Sequence, residues 1–89
     1  MQKYLVLVKQ NPAKTGEFYY PVSKINEKPA EGIKVLGSYN LFGPWDFAIW
    51  FEAETSEAAM HFVGDKIRPL EGIHETLTMP ATPIKEYKM

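Results

Sequence analysis

The sequence contains no cysteine, no long apolar run and no excess of charge of either sign. The absence of cysteine excludes disulfides and thiolate metal sites. A formal net charge of −1, without a cluster of Lys and Arg, gives no electrostatic basis for binding nucleic acid directly. The apolar run Tyr4 to Val8 is too short for a signal peptide or a membrane span. We therefore expect a cytoplasmic protein with neither a membrane nor nucleic acid as a direct partner.

Apolar and aromatic residues are abundant instead. Of the 89 residues, 45% are hydrophobic and 13% are aromatic, and we expect one domain spanning residues 1–89. A domain this short buries only about 60% of the surface that its unfolded chain exposes. Self-association buries more, so we expect the chain to form oligomers.

Two segments are apolar on both faces and are predicted to be central strands. They are Tyr4–Val8 and the run that begins at Asp46, in "DFAIWFEAE". Two other strands are predicted to be half-exposed. The first, Ile33–Phe42, places Ile33, Val35, Tyr39 and Leu41 on one face, with a bulge or bend at Gly37. The second, Ile73–Met79, places Ile73, Leu77 and Met79 on one face and His74, Thr76 and Thr78 on the other, together with Trp50.

Two helices are predicted between these strands. The spacing of Phe18, Val22 and Ile25 indicates a helix that starts near Pro21, after the aromatic segment Phe18 to Tyr20. The second helix lies within Thr55–Leu70, capped by Thr55 or Ser56. Its predicted buried stripe consists of Ala59, Phe62, Val63 and Ile67.

The resulting order, β-α-β-β-α-β, predicts an α+β, ferredoxin-like sandwich. Helices cover one face of such a sheet, and the other face is lined here either by Tyr4, Val6 and Val8 or by Leu5 and Leu7. An apolar face of that size is not left in water. We therefore expect two sheets to pack face to face as a dimeric α/β barrel.

The segment Gly43-Pro44-Trp45-Asp46-Phe47 resembles the G-x-[YF]-D hairpin of the effector-binding domain of Lrp/AsnC-type regulators. The later segment "IRPLEGIHETLT" is similar to the closing segment of that domain, and the resemblance covers residues 33 to 79 well. The same pattern also occurs in small GYD-type proteins of the dimeric α/β-barrel superfamily. In this chain Trp replaces the usual Tyr or Phe, and no helix-turn-helix segment is present.

The resemblance implies a stand-alone domain that forms homodimers, often assembled into rings, and binds a small effector, commonly an amino acid. By position, the ligand-binding residues are Gly43, Trp45, Asp46, Gly72, Thr76 and Thr78. We add His74, which shares the last strand with the threonines. A role in transcription regulation would require a partner that carries the DNA-binding segment.

Each of these residues also has a structural interpretation. Asp46 can cap the turn by accepting backbone N–H groups, and Trp45 can cover a neighbouring element. The threonines suit an ordinary edge strand. His61 and Asp65, four residues apart on the second helix, have a metal-chelating spacing, but a solvated surface pair explains them better, and we expect no metal site.

The sequence contains no pairing of a nucleophile with a base and no phosphate-binding loop, so we predict neither catalytic residues nor a cofactor. The first hypothesis is a non-enzymatic module that senses a small molecule as an oligomer. The second is a small cofactor-free enzyme of the monooxygenase or isomerase type, for which Tyr19, Tyr20, Trp50 and His61 could supply the chemistry. The third is a bare oligomerisation module.

Overall fold

The computed structural model describes residues 1–11, 25–70 and 72–85. The described elements are β1 (Gln2–Gln10), β2 (Ile33–Asn40), β3 (Phe47–Ala53), α1 (Ser56–Phe62), a π-helical turn (Val63–Ile67) that continues α1, and β4 (Ile73–Ala81). The helix predicted to start near Pro21 and the aromatic segment Phe18 to Tyr20 lie outside the described residues, apart from the helix's last part around Ile25. No helix within the described ranges is long and apolar enough to span a membrane.

The four strands form one antiparallel sheet in the order β2-β3-β1-β4. The two strands with apolar residues on both faces therefore occupy the centre, and the two alternating strands lie at the edges, as the sequence predicts. This arrangement confirms the α+β, ferredoxin-like fold. Central strands lie away from the rim of the sheet, in the part to which water has least access. They therefore carry apolar residues on both faces.

The core lies between α1 and one face of the sheet, which we call the core face. Val6, Val8, Ile49 and Phe51 are fully buried there. The Phe51 ring stacks on Tyr4 at a centroid distance of 5.3 Å and meets the edge of the Phe62 ring at 4.8 Å. Burial of each large apolar side chain contributes about 1.5–3 kcal/mol, so this cluster is the main stabilising element of the described structure.

The helix begins at a side-chain cap, because Thr55 Oγ1 accepts a hydrogen bond from the Ala58 N–H at 3.0 Å. Its predicted buried stripe of Ala59, Phe62, Val63 and Ile67 is confirmed. The sequence did not predict that the helix widens after Phe62. There the Arg68 N–H donates to the Val63 carbonyl, five residues back, at 2.9 Å.

Two bulges correct the predicted strand faces. Val35 pairs with Phe51 and Gly37 with Trp50, so Leu36 is an extra residue of β2. The bulge predicted near Gly37 is therefore confirmed, but it reverses the alternation. Tyr39 consequently lies beside Ala48 on the opposite face from Val35, and the prediction that Tyr39 shares the face of Ile33 and Val35 was wrong.

The second bulge lies in β4, where Ile73 pairs with Gln10 and Glu75 with Lys9, so His74 is the extra residue. Ile73 consequently packs against the core and does not share a face with Leu77 and Met79. Thr76 and Thr78 pair with the buried Val8 and Val6, whereas Trp50 pairs with Leu5 on the other face. The prediction that the threonines share a face with Trp50 was therefore wrong.

The second face of the sheet, which we call the open face, carries no described helix. The register places Leu5, Leu7, Tyr39, Ala48, Trp50, Leu77 and Met79 there. The sequence left open which residues of β1 line the uncovered face, and the register shows that they are Leu5 and Leu7. Tyr39 is 54% exposed and Leu77 is 44% exposed. A charged row borders this apolar centre at each end, with Lys3 beside Glu52 and Lys9 beside Glu75.

Candidate functional site

The hairpin between β2 and β3 places a large aromatic residue beside a cation. Gly43 has φ 136°, a conformation that side-chain-bearing residues rarely adopt, so glycine is required at this point of the turn. Trp45 follows and is half-buried. The ammonium Nζ of Lys9 lies 5.1 Å from the centroid of the Trp45 ring, a cation–π contact.

Asp46 ties this hairpin to the end of β1. Its carboxylate oxygen Oδ2 accepts a hydrogen bond from the Gln10 N–H at 2.7 Å, and its own N–H donates to the Val8 carbonyl at 2.9 Å. Its carbonyl accepts from the Leu41 N–H at 2.9 Å, which closes the hairpin. The carboxylate thus accepts a backbone N–H, as the structural interpretation of Asp46 predicts, but that N–H belongs to the end of β1 and not to the turn. It replaces a ladder hydrogen bond where β3 has not yet begun.

Gly72 holds the other side of the same strand end. Its carbonyl accepts a hydrogen bond from the Asn11 N–H at 2.8 Å. Its φ of 92° lies in the left-handed region, which favours glycine. Two consecutive N–H groups at the end of β1 are thus bonded to residues predicted for the site: Gln10 to Asp46 and Asn11 to Gly72.

His74 and Thr76 lie beside this strand end and line a shallow groove that we call the β4 groove. Its volume is about 350 Å³, and it is lined by Arg68, Ile73, His74, Glu75 and Thr76. Thr76 Oγ1 accepts a hydrogen bond from Arg68 Nε at 3.1 Å. His74 is exposed at its bulge. The β4 groove can therefore offer a guanidinium, an imidazole and a carboxylate to a small polar molecule.

Thr78 is the one predicted residue that lies away from this end of the sheet. It pairs with Val6 in the middle of β4 and lines a second groove, between α1 and β4, that we call the helix groove. This groove has a volume of about 300 Å³ and opens to solvent on one side. It is lined by Tyr4, Ser56, Ala59, Met60, Val63, Gly64, Arg68, Thr78 and Pro80.

The structure thus brings six of the seven predicted residues to one end of the sheet, around the end of β1. Reasoning from the sequence missed Lys9, Gln10 and Arg68. Lys9 follows Leu5 and Leu7 at a spacing of two residues, and this spacing could have placed it on the open face with them. Arg68 gave no such signal, because its position depends on the π-helical turn.

His61 lies on the exposed side of α1, away from both grooves. Its imidazole nitrogens lie 3.8 Å from a Glu57 carboxylate oxygen and 3.7 Å from an Asp65 carboxylate oxygen, and all three side chains are mostly exposed. These are surface pairs of small energetic value. Within residues 1–11, 25–70 and 72–85, no group of three or more His, Asp or Glu side chains is arranged to hold a metal ion.

The fold and the hairpin define the class of the protein as a small α+β domain of the ferredoxin-like type. No model of a known protein family matches the sequence, and no curated protein matches it either. Solved structures do match. FFRP-DM1 shares 24% sequence identity at a TM-score of 0.70, over 92% of this chain and 100% of that protein.

This chain spans about half the length of two further solved structures that it matches. E. coli AsnC matches 99% of this chain with a TM-score of 0.77 and 15% identity, and 55% of AsnC is covered. A transcriptional regulator of Neisseria meningitidis, solved as a complex with L-Met, matches 97% with a TM-score of 0.74 and 18% identity, and 53% of that protein is covered. The resemblance to Lrp/AsnC-type domains is confirmed at the level of the fold.

Proposed function

We propose that this chain is a self-associating module that binds a small, amino-acid-like molecule at the end of its sheet. The observation that carries the proposal is the position of the predicted site at the margin of the open face. Lys9 belongs to the open face, lies over Trp45 and pairs with Glu75 in the ladder. A second chain packed on the open face would border Lys9 and the hairpin, and it would meet Glu75 at the rim of the β4 groove. Binding and association would therefore affect each other.

Association through the open face follows from its surface chemistry. An apolar centre bordered by charged residues is the arrangement of stable protein interfaces. The apolar surface consists of the exposed side chains of Tyr39, Leu36 and Leu77 and of the half-buried side chains of Leu5, Leu7, Trp50 and Met79. We propose a homodimer formed by this face and, as in the resemblance drawn from the sequence, higher rings built from dimers. The matched regulators suggest a role in transcription through a partner that contacts DNA.

The enzyme hypothesis receives less support. It requires a closed cavity between sheet and helix with a catalytic group inside, whereas the helix groove is open and lined by neither His61 nor Trp50. Tyr19 and Tyr20 lie outside the described residues. The described part of the chain therefore favours binding over catalysis.

A thermal-shift screen of the twenty natural amino acids, including L-methionine, tests the proposal. A ligand whose free concentration is about 100 times its Kd stabilises a fold by roughly 2.7 kcal/mol. For a domain of this size, each kcal/mol of stabilisation raises the Tm by about 4–8 °C. We expect at least one amino acid to raise the Tm by several degrees.

The two histidines supply a matched pair of variants for the same screen. His74→Ala removes a side chain from the β4 groove, whereas His61→Ala removes an exposed imidazole from α1. We expect the stabilisation to shrink in His74→Ala and to persist in His61→Ala. If no amino acid acts, or if both variants respond alike, the proposed site is wrong.

A further inference from the structure

The helix groove is not used by the proposed function, and its chemistry is specific. Its walls are apolar, formed by Ala59, Met60 and Val63 from the helix and by Tyr4 and Pro80 from the sheet. A volume of about 300 Å³ lies at the lower end of the range for small-molecule sites. The groove therefore has room for a short hydrocarbon chain.

Arg68 is the only charged residue among the described residues that line this groove. Its Nε donates to Thr76 Oγ1, which fixes the plane of the guanidinium beside β4. Within the described ranges Arg68 forms no ion pair with a carboxylate, and a guanidinium carries further N–H groups beside Nε that can bind an anion. A guanidinium held in this way binds a carboxylate through two parallel hydrogen bonds.

The π-helical turn creates this arrangement. It adds one residue to the helical repeat before Arg68, and it places Gly64 in the wall of the groove. A Cβ added at Gly64 would meet no atom within 4 Å, so the wall is open at that point. Ser56, Thr78 and the Tyr4 hydroxyl add polar atoms, none of which has a hydrogen bond to another described residue.

From these observations we propose that the helix groove is a second binding site, whose ligand is an apolar monocarboxylate of short to medium chain length. The carboxylate is held by Arg68, and the hydrocarbon chain lies against Met60, Val63 and Tyr4. Beside Arg68, the β4 groove offers His74 and Glu75 to a polar molecule, whereas the helix groove offers apolar walls. This site does not depend on the amino-acid site, although Arg68 borders both grooves.

Hexanoate is the probe, titrated into the ¹⁵N-labelled full chain in a carboxylate-free buffer and followed by amide chemical shifts. We expect saturable shifts that centre on the helix groove. Arg68→Gln should weaken binding about tenfold or more, because a hydrogen-bonded charge pair is lost. Lys66→Gln removes an equally exposed neighbouring cation that lines neither groove, and it should change the affinity less than about twofold.

Two further arms separate charge from shape. 1-Hexanol, which has the same chain without the charge, should bind at least about tenfold more weakly than hexanoate. Gly64→Leu should block the groove and abolish hexanoate binding, while His74→Ala should leave it unchanged. The proposal is overturned if the shifts do not saturate, if hexanol binds as well as hexanoate, or if Arg68→Gln binds as the unmodified chain does. Failure of the amino-acid screen would leave these outcomes unaffected.

Discussion

At the scale of single residues, Asp46 makes a backbone contact in a position where the resemblance also implies a ligand contact. Its carboxylate accepts the Gln10 N–H at the point where the β1–β3 ladder ends. A short hydrogen bond to an ionised acceptor is stronger than one between neutral groups. The residue therefore helps to determine where the hairpin lies relative to β1.

Asp46→Ala should lower the free energy of unfolding by about 1–3 kcal/mol, because a part-buried N–H loses a charged acceptor. Urea unfolding at one fixed protein concentration measures the change. Asp65→Ala, an exposed carboxylate on the helix, is the control and should change stability by less than about 0.5 kcal/mol. Equal stabilities of the two variants would contradict the role assigned to Asp46.

At the scale of elements, the helix has a strong beginning and a weak centre. Thr55 caps its first turn, and the widened turn after Phe62 contains Gly64, which lacks a side chain to stiffen the backbone. Glycine within a helix costs roughly 0.5–1 kcal/mol relative to alanine. We therefore expect a substitution at the cap to destabilise the helix and a substitution at Gly64 to stabilise it.

Thr55→Ala should reduce stability by about 0.5–2 kcal/mol, since the Ala58 N–H loses its side-chain acceptor. Thr55→Ser keeps the oxygen and should retain most of the stability. Urea unfolding of the two variants measures both values. A Thr55→Ser variant as unstable as Thr55→Ala would show that the methyl group, and not the cap, is responsible.

Gly64→Ala should stabilise the chain by up to about 1 kcal/mol, because the added methyl group meets no atom within 4 Å and the unfolded chain loses freedom. Gly43→Ala is the contrasting variant. It also meets no atom, but its φ of 136° strains a side-chain-bearing residue, so this variant should destabilise. A thermal melt distinguishes the two, and the same sign for both would contradict the conformational argument.

The sequence predicted the order of the described elements, the central strands and the helical stripe because these depend on apolar periodicity. It did not predict the faces of Tyr39, Ile73 or the threonines correctly. Each of those errors follows from one extra residue, Leu36 or His74, which shifts the alternation of the strand beyond it. The role of Arg68 was not predictable for a similar reason, because a π-helical turn changes which side of a helix a later residue occupies.

At the scale of the whole molecule, the two faces of the sheet differ in what covers them. One face packs its core residues against α1, while the other exposes an apolar centre bordered by charge. A domain of 89 residues buries a smaller share of its surface than a larger domain does, and a dimer formed through the open face would add to that share. The stability of the fold and the association of the chains should therefore be linked.

Leu7→Glu places a carboxylate in the centre of the open face and should convert the dimer to monomer, as measured by analytical ultracentrifugation at micromolar concentration. Met60→Glu, which replaces an exposed apolar residue of the helix, should leave association unchanged. The Tm of the unmodified chain should also rise with its concentration. A stable, folded monomer of the unmodified chain at that concentration would contradict association through this face.

The bonds at the end of β1 have a consequence for hydrogen exchange. Gln10 donates its N–H towards β3, to Asp46, and Asn11 donates its N–H towards β4, to Gly72. The exchange rates of these two neighbouring amide protons therefore report separately on opening of the hairpin and on opening of β4. A ligand that rigidifies only one side of the site would slow one proton and leave its neighbour unchanged, so a pair of adjacent amides can locate the bound molecule without any substitution in the chain.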